Sequence, residues 1–255
     1  MKKIYYLFLF TKILLPDTES ATCQEMLADT ASWIDSEVID NTAKLLKTKE
    51  CKNCRLDGAD LRGHNLTKAN LQRSSMIGAL LQCAILDGAN VEGATFKFAR
   101  MDKASLKNID FKSVDLNQIK AENADFTGSN LANTHMQSAR LSGANFKDAN
   151  LTNTDLTSAI LRKANFTNTL IDGLIAVYAD LAFADFLNAK GNIKLSTLGY
   201  LPTTIFCTRA PDGKISSIRS ASYTPAQQQE CSARMKELGL NPKDHIISEI
   251  TSSIS

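Results

Sequence analysis

The chain has 255 residues, 44% of them hydrophobic, and a formal net charge of +2 at pH 7. A charge this close to zero provides no bulk attraction to nucleic acid or to an anionic membrane, so direct nucleic-acid binding is not expected. The length suits one elongated domain with terminal caps better than two globular domains.

Residues 1–20 have the pattern of a secretory signal peptide. Lys2 and Lys3 precede apolar residues 4–10 and 13–15, and small residues follow Pro16 near a cleavage point at residues 20–22. The apolar run is shorter than the roughly 18 residues of a membrane span, so the processed chain should have no transmembrane segment. We therefore expect a periplasmic or secreted protein. The alternative is a cytoplasmic protein in which Lys12 interrupts an ordinary N-terminal segment.

Residues 21–50 predict a helical N-terminal cap of one or two amphipathic helices. Their large apolar residues recur at helical spacing, which indicates one buried face. A tryptophan in this pattern is expected in the core rather than in a binding site. The apolar residues concerned are Met26, Leu27, Trp33, Ile34, Val38, Leu45 and Leu46.

From Leu56 to Phe186 every fifth residue is apolar, over 27 consecutive positions without a slip. Twenty-five of these residues are large, and the other two are Ala121 and Ala176. A step of five fits neither the helix period nor the alternation of a strand. A short repeat sustained over this length indicates a solenoid, in which each unit buries its apolar face by stacking on its neighbours.

Two further positions repeat with the same step. Ala occupies 16 of the 27 positions two residues before the large apolar residue, and Gly or Asn occupies 14 of the 27 positions two residues after it. Gly and Asn tolerate a positive φ, so the second preference predicts a bend in each repeat. One five-residue unit is therefore one short side and one corner.

The segments GADLRGHNLTKANL and GANFKDANLTNTDL resemble the pentapeptide-repeat family, whose consensus is A-(D/N)-L-x-x. The resemblance covers residues 51–191. It implies an all-β solenoid, a right-handed quadrilateral parallel β-helix with four pentapeptides per coil and about seven coils. With strands about 4.8 Å apart, the rod would be about 30–35 Å long.

Arranging the repeats in rows of 20 residues predicts which core residues stack. Ile119 beside Ala121, and Leu174 beside Ala176, exchange the large and small inward positions and so keep the core volume. One column changes from Leu to a ladder of Phe along the rod: Leu66, Leu86, Leu106, Phe126, Phe146, Phe166 and Phe186. The residues predicted to form the structural core include Leu61, Leu81, Phe126, Phe146, Phe166 and Phe186.

Residues 192–255 predict a small C-terminal capping module. TTIFCTRAPDGKISSI indicates a hairpin around residues 211–213, and a helix begins at Thr224 and Pro225 and ends at Gly239. The segment from Phe206 to Gly213 resembles the end of some bacterial pentapeptide-repeat proteins.

Outward-facing apolar residues in the last repeats predict a patch that needs a cover. We expect the C-terminal module to cover it, and the alternative is another protein or a second copy of the chain in an oligomer. The residues are Leu170, Ile175, Val177, Tyr178, Phe183 and Leu187.

The six cysteines suggest structural disulfides. Cys51 and Cys54 fall on inward positions, so a disulfide or a small core pair is favoured over thiol exchange. A zinc site formed by this pair with Cys23 and His64 is the other alternative, although a hydrogen-bonded histidine is expected at position 64. Cys207 and Cys231 would join the hairpin to the helix, and no metal or cofactor is expected.

No catalytic constellation is visible around the three histidines, residues 64, 135 and 245, and the filled interior leaves no room for a pocket. We therefore expect no enzymatic activity. On the surface, Arg100, Lys120 and Arg140 lie one coil apart. Asp102 and Glu122 lie beside them, which favours a solvated salt ladder over a site for phosphate or carboxylate.

These observations favour a non-enzymatic, exported scaffold that binds an unknown protein partner through its faces or ends. The family resemblance implies one alternative, a DNA mimic that binds DNA gyrase. Such a mimic should be strongly acidic, whereas residues 51–190 contain 16 Lys or Arg and 14 Asp or Glu. A bacterial factor secreted into a host is the other alternative.

Overall fold

A computed structural model describes residues 35–194, 207–211, 215–216 and 225–237. The predicted signal peptide, the apolar residues up to Ile34, the turn at residues 212–213 and the predicted helix limits at Thr224 and Gly239 lie outside the described residues.

The backbone of the rod pairs with itself, in parallel, at a separation of 20 residues. The pairings run from Glu50 with Asn70 to Leu170 with Lys190, and nearly every fifth residue between them takes part. Most sides are single bridges rather than strands because a corner follows immediately. The described rod is thus a parallel β-solenoid in which each coil lies 20 residues after the one before it, between residues 50 and 190.

The corners have one backbone conformation whatever residue occupies them. All 27 positions that follow the large apolar residues by two have φ between 52° and 69°, although only 14 of them are Gly or Asn. The N–H of Lys103 donates to the carbonyl of Glu122 at 2.9 Å, and that of Asn108 to Thr127 at 3.0 Å. Such bonds to the next coil hold non-glycine residues in the left-handed backbone conformation, which they rarely adopt otherwise.

The inward columns form one continuous apolar core. All 27 large apolar positions, including Leu61 and Leu81, are at most 5% exposed. The rings of Phe126, Phe146 and Phe166 are stacked, with centroids 5.0 Å apart at each step, and Phe186 follows at 4.5 Å. The coil spacing of about 4.8 Å imposes this nearly parallel stacking.

The small inward positions adapt to local changes in size and polarity. Ile119 and Leu174 are fully buried beside Ala121 and Ala176, so the large and small residues have exchanged places. Buried hydroxyls at other small positions donate to backbone carbonyls, as Thr154 does to Leu131 at 2.7 Å. Because these hydroxyls are paired, they enter the core without an unsatisfied polar group.

Helix α1, Ser36–Thr48, lies against the first coil. Asp35 caps it by accepting the N–H of Glu37 at 3.1 Å, and Val38 and Leu45 are buried in the rod core. Asn41 donates to the carbonyl of Arg55 at 3.0 Å. The helix therefore covers apolar edges that an open solenoid end would expose to water.

The other end of the rod changes its spacing twice. Strand β1, Leu174–Ile175, pairs in parallel with β2, Ile193–Lys194, at a separation of 19 residues rather than 20. Strand β3, Thr208–Arg209, pairs with β4, Ile215–Ser216, in the antiparallel sense predicted for a hairpin. Arg209 also bridges Asp185 in parallel, at a separation of 24, so β3 is one more side of the solenoid.

Helix α2, Pro225–Glu237, is tied to this added side. The Cys207–Cys231 disulfide joins the helix to the residue before β3, and Lys163 of the rod forms an ion pair with Glu230 at 2.9 Å. Strand β3 and helix α2 are therefore held at the last coils by backbone pairing, a covalent bond and a charge pair.

Phe146→Leu should lower the free energy of unfolding by about 1–2 kcal/mol, because it removes two stacked ring contacts and some core volume. Phe146→Ala should lower it by about 3–5 kcal/mol, since it also leaves a cavity. Urea unfolding followed by circular dichroism measures both. A Phe146→Leu variant as stable as the parent would show that the stacking contributes nothing.

Gly191→Ala should destabilise the last coil by about 1–3 kcal/mol. Gly191 has φ of 113°, and an added Cβ would lie 2.6 Å from Cα of Asp172. Gly58→Ala is the matched control, because Gly58 has φ of 66° and nothing within 4 Å of such a Cβ. Thermal unfolding should separate the variants, and equal losses would contradict a backbone clash at Gly191.

Candidate interaction surfaces

One face of the rod carries a linear set of basic and apolar side chains. Each residue bridges the next along the face, so neighbours are about 4.8 Å apart. Asp60 and Asp180 lie at the two ends of the same line. We call the five residues between these carboxylates the basic column: Leu80, Arg100, Lys120, Arg140 and Ile160.

Only part of the salt ladder expected on this face is formed. Arg140 pairs with Glu122 at 2.9 Å, but within the described ranges no ion pair joins Arg100 or Lys120 to a carboxylate. Asp102 instead accepts the backbone N–H of Glu122 in the next coil at 3.1 Å. The Asp102 side chain therefore serves coil stacking, and two cations of the column are left to solvent.

Asp102 and Asp125 show opposite pKa shifts. Burial raises the pKa of Asp102, and the neighbouring Glu122 carboxylate raises it further. Burial also opposes ionisation of Asp125, but hydrogen bonds from Thr127 and the Lys107 ammonium, 3.2 Å away, lower its pKa. The two carboxylates should thus have opposite effects on stability at neutral pH.

On another face of the rod, side-chain amides form hydrogen bonds from one coil to the next. Asn145 donates to Asp125 at 3.1 Å, and Asn165 donates to Asn145 at 3.0 Å, each across one coil. The Asn145 oxygen also accepts the N–H of Lys147 at 3.2 Å. Because these amides bond to one another and to the backbone, they stabilise the stack and are poor candidates for partner recognition.

The apolar residues of the last coils are divided between buried and exposed. Phe183 is 2% exposed, whereas Leu170 and Tyr178 are 46% and 49% exposed. Lys163 lies 5.6 Å from the Phe183 ring centroid while it pairs with Glu230. Phe183 therefore lies beside α2, as expected for a residue covered by the C-terminal module. Ile175, Val177 and Leu187 are half-buried.

The first coil contains a disulfide rather than a set of thiolate ligands. Cys51 and Cys54 are bonded to each other and buried, so neither sulfur is free to bind zinc in this state. His64 is half-buried, with Nδ1 3.0 Å from the carbonyl oxygen of Arg62. The described ranges contain no group of three or more side chains suited to a metal, and Cys23 lies outside them.

Sequence reasoning did not single out Cys83, which is also disulfide-bonded. Its signal was a cysteine at a corner position, where the repeat prefers Gly or Asn, and its φ is 58°. Arg209 was missed as well, because its pairing with Asp185 falls outside the 20-residue spacing.

The geometry defines a β-solenoid of five-residue units with a closed apolar core. A family model described as pentapeptide repeat region matches residues 99–175, and a model of eight pentapeptide repeats matches residues 50–83 and 74–118. Residues 50–175 of the chain therefore belong to the pentapeptide-repeat family. In the part of the chain that the structure describes, no helix has the length and apolar character needed to span a bilayer.

Several solved structures of this family are similar to the chain. HetL, involved in heterocyst differentiation regulation in the cyanobacterium Nostoc, is 24% identical; the match covers 65% of this chain and 74% of HetL, with a TM-score of 0.46. QnrB1, a plasmid-mediated fluoroquinolone resistance protein, is 19% identical over 71% of this chain and 96% of its own, with a TM-score of 0.40. A protein from the Arabidopsis thaliana thylakoid lumen is 26% identical over 51% and 69%, with a TM-score of 0.23.

The comparison with curated proteins gives no significant match.

Asp102→Asn should leave stability at neutral pH unchanged or higher, whereas Asp125→Asn should lower it. The raised pKa of Asp102 means that its charged form opposes folding as the pH rises through that pKa, above the usual 3.8. The lowered pKa of Asp125 gives stability above pH 3.8 that is lost as the pH falls further. Urea titrations at several pH values measure both, and a reversed order of the two variants would contradict these assignments.

Proposed function

We propose that this protein is a non-enzymatic scaffold that acts outside the cytoplasm and binds a protein partner through its faces or ends. The proposed architecture is a right-handed quadrilateral β-helix of seven coils, with a helical cap at one end and the C-terminal module at the other. The proposal rests on the closed core, in which the 25 large residues and two alanines at the 27 inward positions are all buried.

A closed core restricts where anything can bind. The inward columns are filled mainly by Leu, Phe, Met and Ala, and a small-molecule site generally needs a concave cavity with converging polar groups. The long faces instead present regular rows of side chains, as repeat proteins do for macromolecular partners. The faces and ends are therefore the natural binding surfaces.

The cysteines support an extracytoplasmic location. Cys51–Cys54 and Cys207–Cys231 are disulfides, and the described ranges contain no free cysteine. Structural disulfides persist in oxidising compartments and are rare where thiols are kept reduced. This agrees with the signal-peptide pattern of residues 1–20, which is the second support for export.

The charge of the rod supports a scaffold over a DNA mimic. A mimic of the duplex needs rows of carboxylates in place of phosphates, but the rod has 16 basic and 14 acidic residues, and three adjacent positions of the basic column are cations. Inhibition of DNA gyrase supercoiling by low micromolar purified protein would reverse this preference. Delivery to a host remains an alternative destination for the same exported scaffold.

Fractionation of cells that produce the C-terminally tagged full chain tests the proposal. We expect the protein in the periplasm or the medium, beginning near residues 20–22, with its cysteines protected from an alkylating reagent until reduction. The matched control is a variant without residues 4–10, which should stay in the cytosol. An uncleaved, cytosolic parent chain with six reactive thiols would contradict export and the disulfides together.

A further inference from the structure

We propose that the basic column binds an acidic amphipathic helix of a partner protein, lying along the rod axis. This inference rests on the proposed scaffold function and names the partner chemistry of one face. It depends on the order of the side chains, their spacing and their charge state.

The column has free positive charge at its centre and apolar groups on both sides. Arg100 and Lys120 are exposed, and neither has a carboxylate ion pair within the described ranges. Arg140 uses part of its guanidinium on Glu122 and has further N–H donors available. Ile160 is 41% exposed and Leu80 is half-buried. A complementary ligand therefore carries about three carboxylates between two apolar groups.

The spacing favours a helix over an extended chain. Neighbouring residues of the column are about 4.8 Å apart along the axis. A helix advances about 5.4 Å per turn, so the mismatch is about 0.6 Å per position, which long Arg and Lys side chains can absorb. Same-side residues of a strand are about 6.7 Å apart, and that mismatch of about 2 Å per position loses register within two positions.

A second copy of this chain is a poor occupant of the column. In antiparallel packing, Arg100 would face Arg140 and Lys120 would face its own counterpart. In parallel packing, each cation would face the same cation. Like charges directly opposed across an interface disfavour both arrangements, whichever symmetry relates the two copies.

Nucleic acid also fits less well than an acidic helix. Asp60 and Asp180 close the ends of the line, so a run of phosphates longer than the three cations would meet carboxylates. The exposed Ile160 and the half-buried Leu80 would have no apolar partner on a phosphate backbone. A short acidic segment with apolar ends satisfies every position of the column.

Binding of a designed helical peptide to the purified full chain tests the proposal. The labelled probe has three glutamates spaced three and four residues apart, a leucine at the same spacing on each side, and Ala and Gln elsewhere. We expect saturable binding by fluorescence anisotropy that weakens as salt rises to about 0.15 M. The control peptide has Lys in place of each Glu and should not bind.

Matched charge-reversal variants locate the site. Arg100→Glu, Lys120→Glu and Arg140→Glu together should weaken binding at least about tenfold and create binding of the lysine peptide. Lys68→Glu, Lys112→Glu and Lys147→Glu together make the same change in net charge at exposed positions on other faces, and should change affinity less than about twofold. Circular dichroism and thermal unfolding verify that both triple variants remain folded.

Three results would overturn the inference. The glutamate peptide could fail to bind, both triple variants could lose binding equally, or a single-stranded oligonucleotide of equal charge could bind as tightly as the peptide. Equal loss of peptide binding in both triple variants would indicate that the peptide binds through net charge rather than at the basic column. Tight oligonucleotide binding would indicate a nucleic-acid surface. These results do not depend on localisation or thiol state, so a failure of this inference is distinguishable from a failure of the proposed export and disulfide formation.

Discussion

Backbone hydrogen bonding between successive coils is the interaction on which the rest of this structure depends. Leu61 donates to the carbonyl of Leu80 at 2.8 Å, and Leu80 donates to Ala59 at 2.9 Å, so each side of the rod is bonded in both directions. Repetition of this pattern places residues 20 positions apart directly over one another. Inward columns become a core, and outward columns become the surfaces that a partner meets.

The same stacking explains how residues keep backbone angles and ring arrangements that are unfavourable for an isolated segment. Lys, Arg and Phe hold a positive φ at corners where their backbone N–H groups donate to the next coil, as Phe98 does to Asn117 at 3.1 Å. Phenylalanine rings stack almost face to face because the backbone sets their separation. Asp102 accepts a backbone N–H from the next coil, and within the described ranges no ion pair joins it to Arg100 or Lys120.

The core was predictable because its signal is repeated. A Phe column from residue 126 to 186 and two large-for-small exchanges follow from counting in steps of 20, and each additional coil tests the register again. The end of the rod was less predictable because its units occur once. Gly191 marks a coil shortened by one residue, and Arg209 joins the solenoid after an insertion, so neither continues the repeat.

For the surface, the sequence alone determined which residues share a face and which cysteines lie inward, since both follow from the period. It placed Arg100, Lys120 and Arg140 in one line and Cys51 and Cys54 inside the first coil. Only the tertiary structure decided that Phe183 is buried beside α2, that Cys83 is bonded, and that Glu122 pairs with Arg140. The physical reason is that a period sets the direction of each side chain, whereas its partners depend on rotamers and on segments outside the repeat.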